Sequence, residues 1–175
     1  IATGIATAAR SGILIKSGEA LEQLAKIGIA AFDKTGTLTR GHPVVTDVAG
    51  QDTLKLAAAI ETGLTHPVAK AIVTEAERLK VAVPKSTDVT IKQGQGAVGM
   101  VGGKHVALFS PRAAGSLETD VAASIDTLER AGKTVAVLLV DGKYEGHIAV
   151  RDEARDDARP AIAALNALGI RSLML

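Results

Sequence analysis

The sequence predicts an α/β fold, a parallel sheet interrupted by an inserted α+β module that is built on an antiparallel sheet. Three observations carry this expectation. The apolar run Ile27 to Asp33, and a helix-then-strand pattern from Ala154 to the end, are the short strands and crossover of a parallel sheet. Between Thr87 and Phe109 the texture changes to short β segments separated by glycines, "VTIKQGQGAVGMVGGKHVALF". A charged stretch, "RDEARDD" at 151 to 157, stands where the chain would hinge back into the first sheet.

Each element follows in order. Ile5, Ala8, Ala9, Ile13, Leu21 and Leu24 form a loose helical pattern broken at Gly12 and Gly18. After the strand ending at Asp33, "GHPVV" turns into a second strand, Val44 to Val48. Asp52 is placed to cap a helix through about Ile60. Thr65 is placed to cap another, with Pro67 in its first turn, running to about Lys80. "MVGGKHV" predicts a hairpin with Gly102 and Gly103 at its turn. A helix from about Leu117 to Ala131 stops at Gly132, and strands Thr134 to Val140 and Tyr144 to Val150 flank "DGK". The last helix, Ala154 to Leu168, stops at Gly169 before a strand from Ile170. The expected segments are therefore 1–26, 27–42, 43–150 and 151–175.

Composition removes several function classes. Apolar residues make up 47% of the chain and charged residues 22%, a balance that builds a core. A net charge of +1 argues against a nucleic-acid or lipid-surface partner, and an aromatic share of 2% against base-stacking platforms. With no cysteine, disulfides and thiolate metal sites are excluded. His42, His105 and His147 are scattered without a zinc spacing. No apolar stretch approaches the roughly 18 residues of a membrane span. Both ends read as cut: there is no initiating Met, and "IRSLML" would end the chain inside a strand. A fragment is the expectation.

The chemistry concentrates at "IAAFDKTGTLTRG", residues 29 to 41, where Asp33 ends an apolar strand. Open α/β sheets bind ligands at the carboxyl ends of their strands. A carboxylate there can attack a phosphoryl group and become an acyl phosphate. Lys34 adds positive charge, Gly36 lets backbone N–H groups approach the oxygens, and the threonine hydroxyls can donate. The string "DKTGTLT" resembles, letter for letter, the phosphorylation signature of P-type ATPases. The resemblance implies a haloacid-dehalogenase-like phosphorylation domain, only part of which is present, carrying an inserted nucleotide-binding domain. Phosphatases of that fold place a second acid two positions after the nucleophile; here Thr35 stands there. Without that acid to activate water, an aspartyl phosphate would persist long enough to drive a conformational cycle. The family also implies that the Thr35 carbonyl joins Asp33 in holding Mg²⁺ and that Thr37 lies near the phosphoryl oxygens.

A second group of motifs sits in the insertion. "ETGLTHPVAKAI", residues 61 to 72, puts His66 and Pro67 at a helix start, five residues after Glu61. A helix N-terminus favours negative charge, and an imidazole can stack on or hydrogen-bond a purine. "GQGAVG", Gly94 to Gly99, fits G-x-G-x-x-G, but the dinucleotide reading fails because neither the long helix nor the later acid follows. Glycines among β segments instead allow close approach to a ligand. The His-Pro segment is similar to that of heavy-metal P-type ATPases, which implies that His66 orients ATP, Glu61 contacts the adenine edge, and Gly94, Gly96 and Gly99 lie beside the nucleotide. Copper-transporting relatives carry a Gly-Asn pair after the next strand, whereas "FSPR" puts Ser110 in that place; the chain is closer in texture to the zinc/cadmium/cobalt/lead branch. "RDEAR" resembles the acid-x-x-Arg element that closes the hinge between domains, matched by Asp152 and Arg155.

The resemblance covers essentially the whole chain. It implies a cytoplasmic piece of an ATP-driven heavy-metal pump of the plasma membrane, with ATP and Mg²⁺ as cofactors. Its partners would be a divalent cation such as zinc or cadmium and the membrane and actuator domains of the same polypeptide. Residues 1–26 would extend a membrane helix, and 43–150 would be the nucleotide domain. The downstream Thr-Gly-Asp and Gly-Asp-Gly-x-x-Asn-Asp motifs are not in this sequence. By that resemblance the isolated segment would phosphorylate slowly if at all. Two other readings predict different things: a copper pump shares the machinery, and a soluble phosphatase of the same fold requires an acid at position 35.

Overall fold

The structure is a computed structural model that describes residues 2–175. Ile1, the first residue of the expected 1–26 extension, lies outside the described residues. The chain divides into two compact units: the residues up to Leu38 with Ala154–Leu175, and Thr39–Glu153.

The first unit opens with helices α1 (Ala2–Arg10) and α2 (Gly18–Leu24), so the pattern expected to break at Gly12 and Gly18 becomes two helices, with Gly12 in the gap and Gly18 opening the second. Ser17 caps α2, its hydroxyl accepting from the Ala20 N–H at 3.1 Å. Strand β1 (Ile29–Phe32) pairs in parallel with the last strand, β8 (Arg171–Met174), Phe32 opposite Met174. The sequence predicts a fully buried strand here. In β1 half-buried positions alternate with exposed ones, because β8 is the one strand beside it among the described residues.

The second unit is a six-stranded sheet, β2 (Thr39–Ala49), β3 (Ser86–Lys92), β4 (Gly96–Val101), β5 (Lys104–Phe109), β6 (Thr134–Val140) and β7 (Lys143–Ala154), in the order β2-β7-β6-β5-β4-β3. The pairs from β3 through β7 are antiparallel. Side-chain alternation sorts them onto two faces. Val106, Leu108, Leu138, Ile148 and Val150 pack beneath α3 (Thr53–Glu61) and α4 (Pro67–Arg78). Ala107, Val135, Val137, Leu139 and Ala149 pack against α5 (Thr119–Arg130). Helix α3 is "TLKLAAAIE", and its run Ala57, Ala58, Ala59, Ile60 is fully buried; small side chains let its backbone lie close to sheet and α4 together. Helix α5 instead shows one apolar stripe, Val121, Ile125 and Leu128. Each fully buried Ile or Leu contributes about 2 kcal/mol.

Several boundaries differ from expectation for identifiable reasons. The strand expected over Val44 to Val48 runs from Thr39 to Ala49, and the one expected over Tyr144 to Val150 runs to Ala154, because β2 and β7 are ladder neighbours and pair through their polar ends. The last helix, α6, accordingly begins at Ala158, not Ala154. Asp52 holds the N-cap position of α3 without a capping hydrogen bond from its side chain, which pairs with Lys55 at 3.6 Å; Thr53 Oγ1 donates to the Ala49 carbonyl at 2.7 Å. His66, not Thr65, caps α4. No helix among the described residues is long and apolar enough to cross a membrane.

Candidate functional site

Asp33 directly follows β1, at the strand's carboxyl end. The parallel partner holds this end: the Leu175 N–H donates to the Phe32 carbonyl at 2.9 Å. The chain then makes a tight turn over Lys34–Leu38, with Thr35 extended and Gly36 at φ 76°, a left-handed conformation that suits glycine. Asp33, Lys34, Thr35 and Thr37 are all exposed, so the carboxylate is presented to solvent on a turn that a glycine shapes. Leu38 accepts from the Arg155 backbone N–H at 2.9 Å, which ties the far end of the turn to the returning chain.

Asp152 and Arg155, matched as one element by the sequence, have separate partners. Asp152 accepts from Thr39 Oγ1 at 2.5 Å and from the Gly41 N–H at 3.0 Å, binding the start of β2 to the end of β7. Arg155 pairs with Asp157, Nε to Oδ1 at 3.1 Å, and that guanidinium holds the Asp157 carboxyl below its ordinary range.

In the second unit a cleft of about 550 Å³ opens where the end of α3, the head of α4, the β3–β4 loop and the ends of β5 and β6 meet. Glu61, His66, Gly94, Gly96 and Ser110 line it, brought together from three distant stretches of chain. Glu61 is the last residue of α3 and only 8% exposed. Its carboxyl has no hydrogen-bond or ion-pair partner among the described residues, and burial pushes its pKa up to about 7. His66 Nδ1 accepts from the Val68 N–H at 3.3 Å, which leaves the imidazole proton on Nε2 as a donor. The glycine loop is pinned by the Ser110 N–H, which donates to the Gln95 carbonyl at 2.7 Å. Gly96 has φ 146°, and a Cβ there would overlap the Leu108 carbonyl oxygen, so the loop can lie against β5 only with glycine at this position.

Four of the expected residues lie elsewhere. Pro67 opens α4 and does not line the cleft. Gly99 faces the core, where a Cβ would come within 3.0 Å of Val89 Cγ2 and 3.3 Å of Ile60 Cγ2; it permits the approach of α3 to β4. Asp152 and Arg155 are not among the lining residues. Conversely, Lys92, Gln95, Phe109 and Thr134 line the cleft although sequence reasoning passed over them. Gln95 stands between Gly94 and Gly96, and Lys92 lies two positions before Gly94, so both carried a usable signal; Thr134 reaches the cleft through the strand order of the sheet. His147 is buried, its Nδ1 2.7 Å from the Tyr144 hydroxyl, and burial lowers its pKa. Among the described residues no cluster of three or more His, Cys, Asp or Glu could hold a metal ion.

Residues 27–175 match the model of the haloacid dehalogenase-like hydrolases. The chain belongs to the haloacid dehalogenase-like hydrolase family. Within it, the chain is 43% identical over its whole length to a zinc/cadmium/lead-transporting P-type ATPase of Shigella sonnei, and it spans about a quarter (24%) of that relative. A crystal structure of a zinc-transporting PIB-type ATPase in the E2.Pi state superposes with a TM-score of 0.80 at 42% identity, over 99% of this chain and 30% of that one. The N-domain of HMA8, a copper-transporting P-type ATPase, matches 62% of this chain and 99% of its own at 33% identity and a TM-score of 0.51. Close similarity to zinc/cadmium/lead-transporting P-type ATPases thus extends along the whole of this haloacid dehalogenase-like chain. Identity to the copper-transporting N-domain is lower.

Proposed function

We propose that this haloacid dehalogenase-like chain is the catalytic segment of an ATP-driven pump that exports a divalent heavy-metal cation such as zinc or cadmium. The segment lies on the cytoplasmic side of the plasma membrane, and the membrane and actuator domains belong to the same polypeptide. Residues 1–26 extend a membrane helix, 27–42 and 151–175 contribute to the phosphorylation domain, and 43–150 form the nucleotide domain. The observation that carries the reading is the cleft, in which a buried carboxyl, a histidine donor at a helix start and a glycine loop converge.

ATP is the phosphoryl donor. Its purine lies on Glu61 and His66, and its phosphates run along the Gly94–Gly96 loop, whose backbone comes close because no side chain intervenes. Asp33 attacks the γ-phosphorus as the bond to the ADP oxygen breaks, leaving an aspartyl phosphate. Lys34 and the Thr37 hydroxyl offset charge on the phosphoryl oxygens. The Asp33 carboxylate and Thr35 carbonyl are hard oxygen donors of the kind Mg²⁺ takes beside substrate phosphates, and the ion would neutralise phosphoryl charge when bound. Thr35 supplies no base for water, so the phosphorylated aspartate persists. Asp152 holds β2 and β7 together at the point where the chain leaves and re-enters the nucleotide domain.

The test is calorimetric titration of the 175-residue chain with ATP, beside His66→Ala. Saturable binding that the substitution weakens by about 1–3 kcal/mol, the cost of a lost polar contact, is the expected result. A folded chain with no saturable binding would remove the nucleotide assignment and leave the Asp33 signature alone.

A further inference from the structure

Glu61 has an unusual environment for a carboxyl that meets a ligand. It ends a helix whose preceding turn is fully buried, and it shares the cleft lining with the apolar side chains of Leu64, Val68 and Ala69. No arginine or lysine among the described residues bonds to it, and burial raises its pKa. An unpaired ionised carboxylate in such a place is costly, and the neutral acid is the alternative. On the neighbouring elements, β4 carries no ionisable side chain, and Lys104 and His105 of β5 stand at the hairpin end. Among the described residues, the other ionisable groups lining the cleft are His66, at the head of α4, and Lys92, which ends β3. Neither pairs with the Glu61 carboxyl.

Adenine presents an acceptor nitrogen beside its 6-amino donor. An ionised carboxylate can only accept, so it pairs with the amino group while its second oxygen faces the nitrogen lone pair. A neutral carboxyl has one donor and one acceptor, which matches the adenine edge at both positions. We propose that Glu61 binds the purine as a neutral carboxylic acid, donating its O–H to the ring nitrogen and accepting from the 6-amino group, so that nucleotide binding takes up a proton. This rests on the reading of the cleft as an ATP site and adds the protonation state to it. Bound purine excludes further water from Glu61, and the phosphates add negative charge nearby; both favour the protonated form. Affinity for ATP is then linked to pH: it is greatest when the carboxyl is already neutral and falls as alkali ionises it.

The experiment is titration of the 175-residue chain with ATP at pH 8.0 in HEPES and in Tris, whose different ionisation heats report the protons exchanged. A carboxyl with pKa about 7 is about nine-tenths ionised there, so uptake approaching one proton per ATP is expected. In the same wild-type chain, affinity falls about eightfold between pH 7.5 and 8.5. Glu61→Gln, whose amide keeps one donor and one acceptor but cannot titrate, shows neither the uptake nor the fall. ATP binding without proton uptake, or with equal uptake in E61Q, overturns the proposal and leaves the cleft assignment standing. No ATP binding by the folded wild-type chain overturns both. The wild-type buffer comparison decides the matter even if the variant is unstable.

Discussion

Replacing Glu61 by Gln in the ligand-free chain tests the same burial through folding. The carboxyl rises from its ordinary 4.5 to about 7 because α3 buries it, and each pKa unit is worth about 1.4 kcal/mol. Between those two pH values the folded chain holds a proton that the unfolded chain has released, so stability falls as pH rises through the window. Above pH 7 the whole penalty is present, about 3 kcal/mol. Gln has nearly the same shape and no charge to bury. E61Q is therefore expected to match the wild type within about 1 kcal/mol near pH 4.5 and to exceed it by about 3 kcal/mol at pH 8. Other titrating groups contribute equally to both chains and cancel in the difference. Urea denaturation at the two pH values measures it, and the reporter is built in, since Tyr144 is the one tyrosine, there is no tryptophan, and it lies in β7 of the second unit. A difference that did not grow with pH, or an E61Q chain less stable at pH 8, would mean that the carboxyl is ionised and paired in the folded state, refuting the reasoning.

Gly96→Ala forces a Cβ into the Leu108 carbonyl at a φ that side chains rarely adopt, and is expected to cost about 3 kcal/mol in the same assay; Gly94→Ala, with open space around it, costs about 1 kcal/mol. Thr39→Val removes a hydrogen bond to the Asp152 carboxylate, for a loss of about 2 kcal/mol and faster amide exchange at Gly41. Asp33→Asn in the full-length protein is expected to reduce acid-stable label from γ-labelled ATP to background. In the 175-residue chain it leaves ATP affinity unchanged, since Asp33 does not line the cleft.

Much of this protein was legible in the sequence because local chemistry decided it. The Gly102–Gly103 hairpin turn, the stop at Gly169 and the position of Asp33 just past a strand follow from turn residues and apolar runs within a few positions. The motifs also pointed to the family, since a run such as "DKTGTLT" is specific in itself. What the tertiary structure decided depends on partners far along the chain. Strands β2 and β7 outrun their apolar cores because each supplies the other's ladder, and Asp152 closes the pair through bonds to Thr39 and Gly41, far away along the chain. Gly99 resembled a loop glycine, yet it serves α3, because β4 places it beneath Ile60. Thr65 is the cap that residue type favours, yet the chain's path into α4 puts His66 Nδ1 against the Val68 N–H and makes His66 the cap. Above all, nothing in "IETGLTHP" gives a carboxyl a pKa near 7; that requires α3 buried between sheet and α4, with its last side chain removed from water and left without a cation.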